Sequence, residues 1–383
     1  MTNAPVRASF HDPDGSVYFT ADKVLRRLRA SAAERLDAFL SGPLAQQLLL
    51  LGQIPATQRL QADPGAPLQP DMPGQVWYQH ERLPFINYPH EWLPEQLQEA
   101  GLLSLEIAER ARLQGWDLKD GNARNVVFRG LQPVFVDLGS FVPRDDSQPV
   151  WRPAGQLQRH ILLPLLLQRH RHWPTAATLL ARPDGLAHAD AWSALSGWPV
   201  LDRDVFWLCA LPTWLAVSSS GPKPAAKPRR FGPDVARAAA DHTVRSLQRR
   251  LRRLRVGRSA NASQWARYEH SRSHYPDQAL ALKQRAIEAM LGHVGPGTLL
   301  DIGTNGGEYA NLAARLGYRV VAIDSDAGAL SQARQRARDA GLDILHLLVD
   351  FCAPTPALSG TASNACRSTA AAKAPSTPSW RWP

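Results

Sequence analysis

The chain has 383 residues, of which 44% are hydrophobic and 20% charged, a composition that excludes wholesale disorder and, at this length, favours two or more domains over one core. Its net charge of +10 equals the excess within one segment, residues 223–258, which carries twelve basic and two acidic residues. Three cysteines without a Cys-x-x-Cys spacing argue against a disulfide framework and a thiolate zinc site. Because the chain shows neither a signal-peptide core nor an apolar run long enough to span a bilayer, we expect a cytoplasmic protein.

The first region, residues 1–217, mixes hairpin-like and helical segments. The sequence DPDGSVYF at Asp12–Phe19 predicts a turn followed by a strand. The amphipathic run Leu93–Gln114, which is followed by Gly115, predicts a long helix that ends at a glycine. This region is therefore predicted to have an α+β fold.

A polar loop in the same region carries candidate ligands. Asp120 is followed five residues later by Asn125 and a short apolar run, and a second apolar run ends at Asp137 in an Asp-x-Gly sequence. The pattern resembles the catalytic loop and metal-binding Asp-x-Gly of protein-kinase-like phosphotransferases, which implies a base at Asp120 and magnesium ligands at Asn125 and Asp137. Because no glycine-rich phosphate loop, lysine-bearing strand or histidine before the loop is present, we interpret the region as kinase-like but used for binding. A hairpin with polar turn residues is the simpler alternative.

Residues 218–260 combine a linker with a basic helix. The stretch SSSGPKPAAKPRRFGP has the Ser, Gly and Pro content of a linker, and the pattern becomes helical after Pro233. One apolar stripe, surrounded by arginines, contains Val244, Leu247, Leu251 and Leu254. The arginines suit RNA or DNA phosphates or an acidic membrane surface, but the lack of interleaved aromatic residues favours a solvated helix between domains with nonspecific phosphate affinity.

Residues 261–358 alternate between helices and strands. The pattern predicts a helix over 277–291, a strand over 298–302, a glycine turn and a helix, and further strands over 319–323 and 344–349. This alternation predicts a parallel α/β sheet, the N-terminal part of a Rossmann-like domain.

The glycine turn follows Asp301 within the sequence TLLDIGTNGGEY. Glycines let a ligand approach the backbone closely, and the start of the next helix offers unpaired N–H groups, so a nucleotide-like ligand suits this turn. The second strand ends at Asp324, 21 residues after Gly303, where a carboxylate can bind both hydroxyls of a ribose. Asn305 occupies the second glycine position of a Gly-x-Gly-x-x-Gly motif, which disfavours a dinucleotide site. An NAD-type site and a βαβ unit with solvated aspartates are the alternatives.

The segment DIGTNGG resembles the first motif of the class I S-adenosylmethionine-dependent methyltransferases. The resemblance implies that S-adenosylmethionine is the cofactor, with its methionine part at the glycine turn, its ribose at Asp324 and its adenine near Asp350. The implied cofactor-binding residues are Asp301, Gly303, Asn305, Gly307, Asp324 and Asp350. The motif indicates neither the general base nor the methyl acceptor.

The two halves together resemble a bacterial family in which a kinase-like N-terminal region precedes a methyltransferase domain. The resemblance rests on PFINYPHEW at Pro84–Trp92, on WRPAGQLQRHILLPLLLQRHR from Trp151, and on HYPDQALALKQ before the donor motif. It implies methyl transfer from S-adenosylmethionine to an unidentified acceptor. The alternatives are a non-catalytic protein that binds nucleic acid or a partner through the basic helix, and a kinase-like phosphotransferase.

No metal site is predicted, because the histidines that flank an apolar run lack an acidic neighbour: His160, His170 and His172.

The last residues, 359–383, are dominated by Ala, Ser, Thr and Pro without periodicity, and we predict that they are disordered. Shifting the reading frame by one nucleotide converts the codons required for Ser376–Pro383 into the pattern of a buried strand. We therefore expect a frameshift near Gly360 that removes the fourth strand of the methyltransferase sheet. Such a chain is truncated in its functional domain and is expected to be unstable or inactive.

Overall fold

The structure is a computed structural model, and it describes residues 6–7, 14–20, 23–61, 75–196, 202–218, 231–254, 256 and 277–353. The predicted tail, most of the predicted linker and the HYP of HYPDQALALKQ lie outside the described residues. The chain divides into two compact units. Unit 1 comprises Met1–Leu83, Tyr88–Val127 and Pro133–Gly257, and unit 2 comprises Pro84–Asn87, Phe128–Gln132 and Arg258–Pro383.

An antiparallel sheet of five strands, in the order β1-β2-β3-β5-β4, forms the first part of unit 1. Its strands are β1 Val6–Arg7, β2 Gly15–Phe19, β3 Val24–Arg29, β4 Thr57–Arg59 and β5 Gln75–His80. The hairpin-like DPDGSVYF segment supplies β2, as predicted. Tyr18, Leu25 and Trp77 form an apolar cluster on this sheet. In the middle of β3, opposite Tyr78, the charged side chain of Arg26 is also buried.

The start and end of helix α3 (Pro94–Leu113) in unit 1 follow from the sequence. A proline stands at its first position, Leu93 N donates to Gln96 Oε1 at 3.0 Å, and Gly115 adopts a φ of +79° just beyond its end. The helices are α1 Ala30–Leu40, α2 Pro43–Leu50, α3 Pro94–Leu113, α4 Ala154–Leu157, α5 Leu163–Arg171, α6 Thr175–Ala181, α7 His188–Leu195, α8 Arg203–Val205, α9 Leu211–Ser218 and α10 Pro233–Arg253. None of the helices in the described ranges has the length and apolar content needed to cross a membrane.

Short strands and turns complete this part of the chain. Strand β6 pairs antiparallel with β9, and β7 forms a second two-stranded sheet with β8. Their bounds are β6 Trp116–Leu118, β7 Val126–Arg129, β8 Gln132–Phe135 and β9 Phe141–Pro143. Single turns of 3₁₀ helix span Pro89–Glu91, Ala123–Asn125 and Leu138–Ser140, and wider π-helical turns span Gln158–Leu162 and Phe206–Ala210.

The basic helix α10 packs on α3 within unit 1. Its predicted apolar stripe is buried, and it continues towards the N-terminus through Ala236 and Ala240. The close approach needs a glycine on α3, because a Cβ at Gly101 would lie 2.7 Å from Leu251 Cδ2. The sequence had suggested a solvated helix between domains. This is wrong for the apolar side, because that side is buried where α10 packs on α3.

Unit 2 contains the predicted parallel α/β unit. Its three strands pair in parallel in the order β10-β11-β12, with a helix after each of the first two strands. The elements are α11 Asp277–Val294, β10 Thr298–Ile302, α12 Glu308–Arg315, β11 Arg319–Asp324, α13 Ala327–Asp339 and β12 Ile344–Leu348. Ala310, Ala313, Val320, Ala322 and Ile344 are buried together between the sheet and its helices. The carboxyl ends of the strands lie at one edge of the sheet, and the candidate binding residues Asp301, Asp324 and Asp350 are at this edge.

Candidate functional site

The turn between β10 and α12 has three residues in the left-handed region. Gly303, Asn305 and Gly307 have φ values of +70°, +47° and +80°. Gly303 N and Thr304 N both donate to Ile323 O, at 2.9 and 3.1 Å, which fixes the turn against β11. The two glycines serve different purposes: a Cβ at Gly307 would lie 2.9 Å from Ala333 Cβ, whereas one at Gly303 would meet no atom within 4 Å. Space for a ligand is therefore open at Gly303 and closed at Gly307.

Two carboxylates flank this turn. Thr304 Oγ1 donates to Asp301 Oδ2 at 2.7 Å. Asn305 N and Asp326 N each donate to one oxygen of Asp324, both at 2.8 Å. Burial raises the pKa of Asp301, and the charge of Asp324 adds to this effect, while the hydrogen bond from Thr304 opposes it. Within the described ranges neither carboxylate forms an ion pair.

Asp350 stands at the same edge of the sheet, beyond the end of β12. Val349 N donates to Asp324 O at 2.9 Å, which brings the chain before Asp350 alongside the end of β11. The Asp350 side chain is exposed, and its Oδ1 accepts hydrogen bonds from Cys352 N and Ala353 N. The structure thus brings Asp301, Asp324 and Asp350 to one edge. The sequence interpretation missed Thr304, although a hydroxyl three residues after an aspartate in a turn is a common local hydrogen-bonding pattern.

The kinase-like loop of unit 1 is held in a different way. Arg26 Nη2 donates to Asp137 Oδ1 at 2.9 Å, and Gly139 N donates to the same oxygen at 3.2 Å. The Arg26 side chain is 8% exposed and that of Asp137 28%. A Cβ at Gly139 would lie 2.3 Å from Arg26 Nη1, so any larger residue there would displace the guanidinium. Arg26 was missed in the sequence, because a charged residue in the middle of a strand is usually exposed.

The other candidate residues of this loop surround the same turn. Val136 N donates to Asn125 O at 2.7 Å, and Asp120 N donates to Ser140 Oγ at 3.2 Å. The Nδ2 of Asn125 is buried and has no hydrogen-bond partner in the described part of the chain. Burial and the Arg26 charge lower the pKa of His80 on β5 to about 3, with Asp137 acting in the opposite direction. The structure therefore gathers Asn125 and Asp137, but around a buried cation.

The PFINYPHEW segment forms a buried turn. Trp92 is fully buried, and Glu91 is 7% exposed. Tyr88 N donates to Glu91 Oε2 at 2.8 Å, which caps the 3₁₀ turn. Burial raises the pKa of Glu91 to about 7, and the hydrogen bond from Tyr88 opposes this effect. The part of the segment that lies in unit 1, residues 88–92, thus has a structural role. Among the described residues, no three His, Cys, Asp or Glu side chains cluster closely enough to hold a metal ion.

Comparison with known proteins identifies the glycine-turn region. Residues 300–359, which begin in β10 and include the turn, β11 and β12, match the family described as a methyltransferase domain. Residues 300–359 are thus similar to a methyltransferase domain. This match ends next to Gly360, where the sequence predicts a frameshift, and that frameshift stays a prediction.

Two further similarities concern longer parts of the chain. It is 28% identical over 363 residues to the nodulation protein NoeA of Rhizobium meliloti (strain 1021), an alignment that covers 92% of this chain and 72% of NoeA. A solved structure of vaccinia related kinase 3 aligns with 66% of this chain and 93% of its own, at 12% identity and a TM-score of 0.30. A TM-score this low carries no argument, so the kinase-like interpretation of residues 1–217 stays a prediction.

Proposed function

We propose that unit 2 binds S-adenosylmethionine at the glycine turn and transfers its methyl group to an acceptor. When bound, this cofactor supplies an electrophilic methyl on a sulfonium, so the protein needs only to hold donor and acceptor in line. In the proposal, the open backbone at Gly303 accommodates the methionine part. Asp324 accepts hydrogen bonds from the ribose hydroxyls, and Asp350 lies on the side of the adenine.

One observation carries the choice of ligand. Asp301 and Asp324 stand beside the open side of the turn without an ion pair in the described ranges, so their negative charge is balanced only by backbone and hydroxyl dipoles. Such a site favours a ligand with a positive centre and disfavours one with a pyrophosphate. The sulfonium and amino groups of S-adenosylmethionine meet this requirement, whereas NAD places two negative phosphates at the corresponding turn.

The test is calorimetric titration of the full chain with S-adenosylmethionine and, separately, with NAD. We expect Asp324→Ala and Gly303→Arg to weaken S-adenosylmethionine binding by at least about tenfold. The matched controls are Asp339→Ala, which removes an exposed carboxylate from α13, and Gly341→Arg. Gly341 has a φ of +66° and, like Gly303, open space around its Cβ position, so it reproduces the backbone strain of the Gly303 variant.

The controls are expected to bind within about twofold of the parent. The proposal is wrong if the folded parent, verified by a cooperative thermal transition, does not bind S-adenosylmethionine, or if NAD binds in its place. Equal losses in the Gly303 and Gly341 variants would assign the effect to backbone strain and would also contradict the proposed location.

A further inference from the structure

The packing of α10 fixes which of its sides faces solvent. Ala236, Ala240, Val244, Leu247 and Leu251 are buried, at spacings of three and four residues. Polar contacts hold the same orientation at both ends of this stripe: Gln98 Nε2 donates to Leu251 O and Leu254 O at 2.6 and 2.8 Å, and Arg112 Nε donates to Asp241 Oδ1 at 2.5 Å. The opposite side of α10 is therefore held outward rather than free to rotate.

The arginines of α10 divide into paired and unpaired residues. Arg237 pairs with Asp234, Arg250 with Asp204 at 2.6 Å, and Arg252 with Glu106 at 3.0 Å. The other three are exposed and form no ion pair with any residue in the described ranges: Arg245, Arg249 and Arg253. After Asp241 the helix contains no acidic residue. Positive charge is thus left uncompensated on the outward side.

These three arginines lie on one line along the helix. A separation of four residues places them on the same side with a rise of about 6 Å between neighbours, and the exposed His242 continues the line towards the N-terminus. Interaction with the helix dipole explains cations in the last turn only, and Arg245 lies two turns before the end of α10 at Arg253. Helix stabilisation therefore does not account for the whole row.

We propose that this arginine face, defined as Arg245, Arg249 and Arg253, binds the phosphodiester backbone of a nucleic acid. A row of guanidinium groups at this spacing can pair with successive phosphates of one strand, and guanidinium suits phosphate oxygens through two parallel hydrogen bonds. The contacts involve only the backbone, so the binding is independent of base sequence.

The burial of the apolar stripe argues against the other polyanion considered for this helix, an anionic membrane. Interfacial helices bind by inserting their apolar side among the lipids. In α10 that side is covered by α3. The exposed apolar residue Val235 lies in the first turn of α10, about two turns before His242, and His242 and the arginine face themselves offer no large apolar side chain for insertion. Binding to a nucleic acid requires no insertion of apolar side chains. A helix with a buried apolar stripe and outward arginines therefore suits a nucleic acid better than a membrane.

The experiment measures the fluorescence anisotropy of labelled single-stranded RNA and duplex DNA of about 20 nucleotides or base pairs with the full chain, over a series of salt concentrations. The variant is Arg245→Gln/Arg249→Gln/Arg253→Gln. The matched control, Arg152→Gln/Arg182→Gln/Arg203→Gln, removes the same charge from exposed arginines elsewhere in unit 1. Because the two variants have equal net charge, any difference in affinity reports where the charge lies.

At about 50 mM salt we expect the arginine-face variant to bind at least about tenfold more weakly than the parent and the control to stay within about twofold. The slope of log affinity against log salt should fall by about 2 to 3 in the arginine-face variant on duplex DNA, since each phosphate contact contributes about 0.9. Equal weakening in both variants, or no binding by the parent, overturns the proposal.

Two further measurements test whether the arginine face prefers nucleic acid to other polyanions and whether it acts independently of the proposed methyltransferase site. Binding of the parent to phosphatidylserine vesicles or to polyglutamate as tightly as to nucleic acid contradicts the choice of occupant. If the triple variant unfolds at a lower temperature than the parent, the single variant Arg249→Glu replaces it and must still weaken binding. S-adenosylmethionine affinity is expected to be unchanged in both, so failure of one proposal leaves the other intact.

Discussion

Asp137 in unit 1 and Asp324 in unit 2 both stand where a strand runs into a turn, but different donors hold them. Asp137 accepts hydrogen bonds from the buried Arg26 guanidinium and from one backbone amide. Asp324 accepts from two backbone amides and has no ion pair in the described part of the chain. A guanidinium compensates the charge of its partner, whereas peptide dipoles stabilise a carboxylate without cancelling its charge.

The difference shows that an aspartate whose sequence position suits ligand binding can instead be held by an ion pair within the protein. At Asp137 the cation that balances the charge is part of the fold, so the pair contributes to the structure of unit 1. At the glycine turn no described residue forms an ion pair with Asp324 or Asp301, and under the proposed function a cationic molecule supplies the compensating charge. Three sets of variants test this contrast, in order of decreasing expected effect.

Asp137→Ala is expected to destabilise unit 1 by about 3 to 5 kcal/mol, because it leaves the buried guanidinium of Arg26 without a carboxylate. Arg26→Leu should cost less, since the more exposed Asp137 can be hydrated. The double variant should be more stable than Asp137→Ala alone. Urea unfolding of the three variants measures these differences.

The control for this cycle is Asp234→Ala, which breaks an exposed pair on α10 and should change the stability by less than about 0.5 kcal/mol. If Asp137→Ala costs no more than this control, Asp137 is not held by charge compensation, and the contrast between the two units fails.

Glu91→Gln tests a buried carboxylate that forms no ion pair with any residue the structure describes. Because the pKa is about 7 in the folded chain against an ordinary value of 4.5, the stability that this group contributes is fully present below pH 4.5 and is lost as the pH rises through about 7. The glutamine side chain of the variant does not ionise, so the variant should be more stable than the parent at about pH 8 by up to about 3 kcal/mol and similar below pH 4.5.

Thermal unfolding of parent and variant across this pH range measures the effect, with the exposed Glu34→Gln as the control. A constant difference between parent and Glu91→Gln at all pH values would mean that Glu91 does not titrate in this window.

Thr304→Val is expected to have the smallest effect on stability, about 1 kcal/mol, because it removes one hydrogen bond to Asp301. That hydrogen bond lowers the pKa of Asp301, so its loss should raise this pKa further. Under the proposed function, protonation of Asp301 weakens S-adenosylmethionine binding as the pH is lowered. This loss of affinity should begin at a higher pH in the variant than in the parent. Calorimetric titration over the pH range checks the direction, and an unchanged profile would show that Asp301 does not interact with the donor.

The sequence by itself determined the local elements. Hydrophobic period, caps and glycines located α3, the parallel strands of unit 2 and the turn at Gly303, because these depend on residues close together in the chain. The spacing between Gly303 and Asp324 predicts that Asp324 binds a ribose, and this stays a prediction, while the parallel pairing of β10 and β11 brings the carboxyl ends of the two strands together.

Only the tertiary structure decided which charges are compensated. Arg26 and Asp137 are 111 residues apart, and Gln98 lies 153 residues before the Leu251 carbonyl that it binds. No local pattern encodes such pairs, because burial and charge pairing depend on which surfaces the fold brings together. For the same reason the sequence identified the apolar stripe of α10 but not what covers it, and it could not show which arginines remain outward and unpaired.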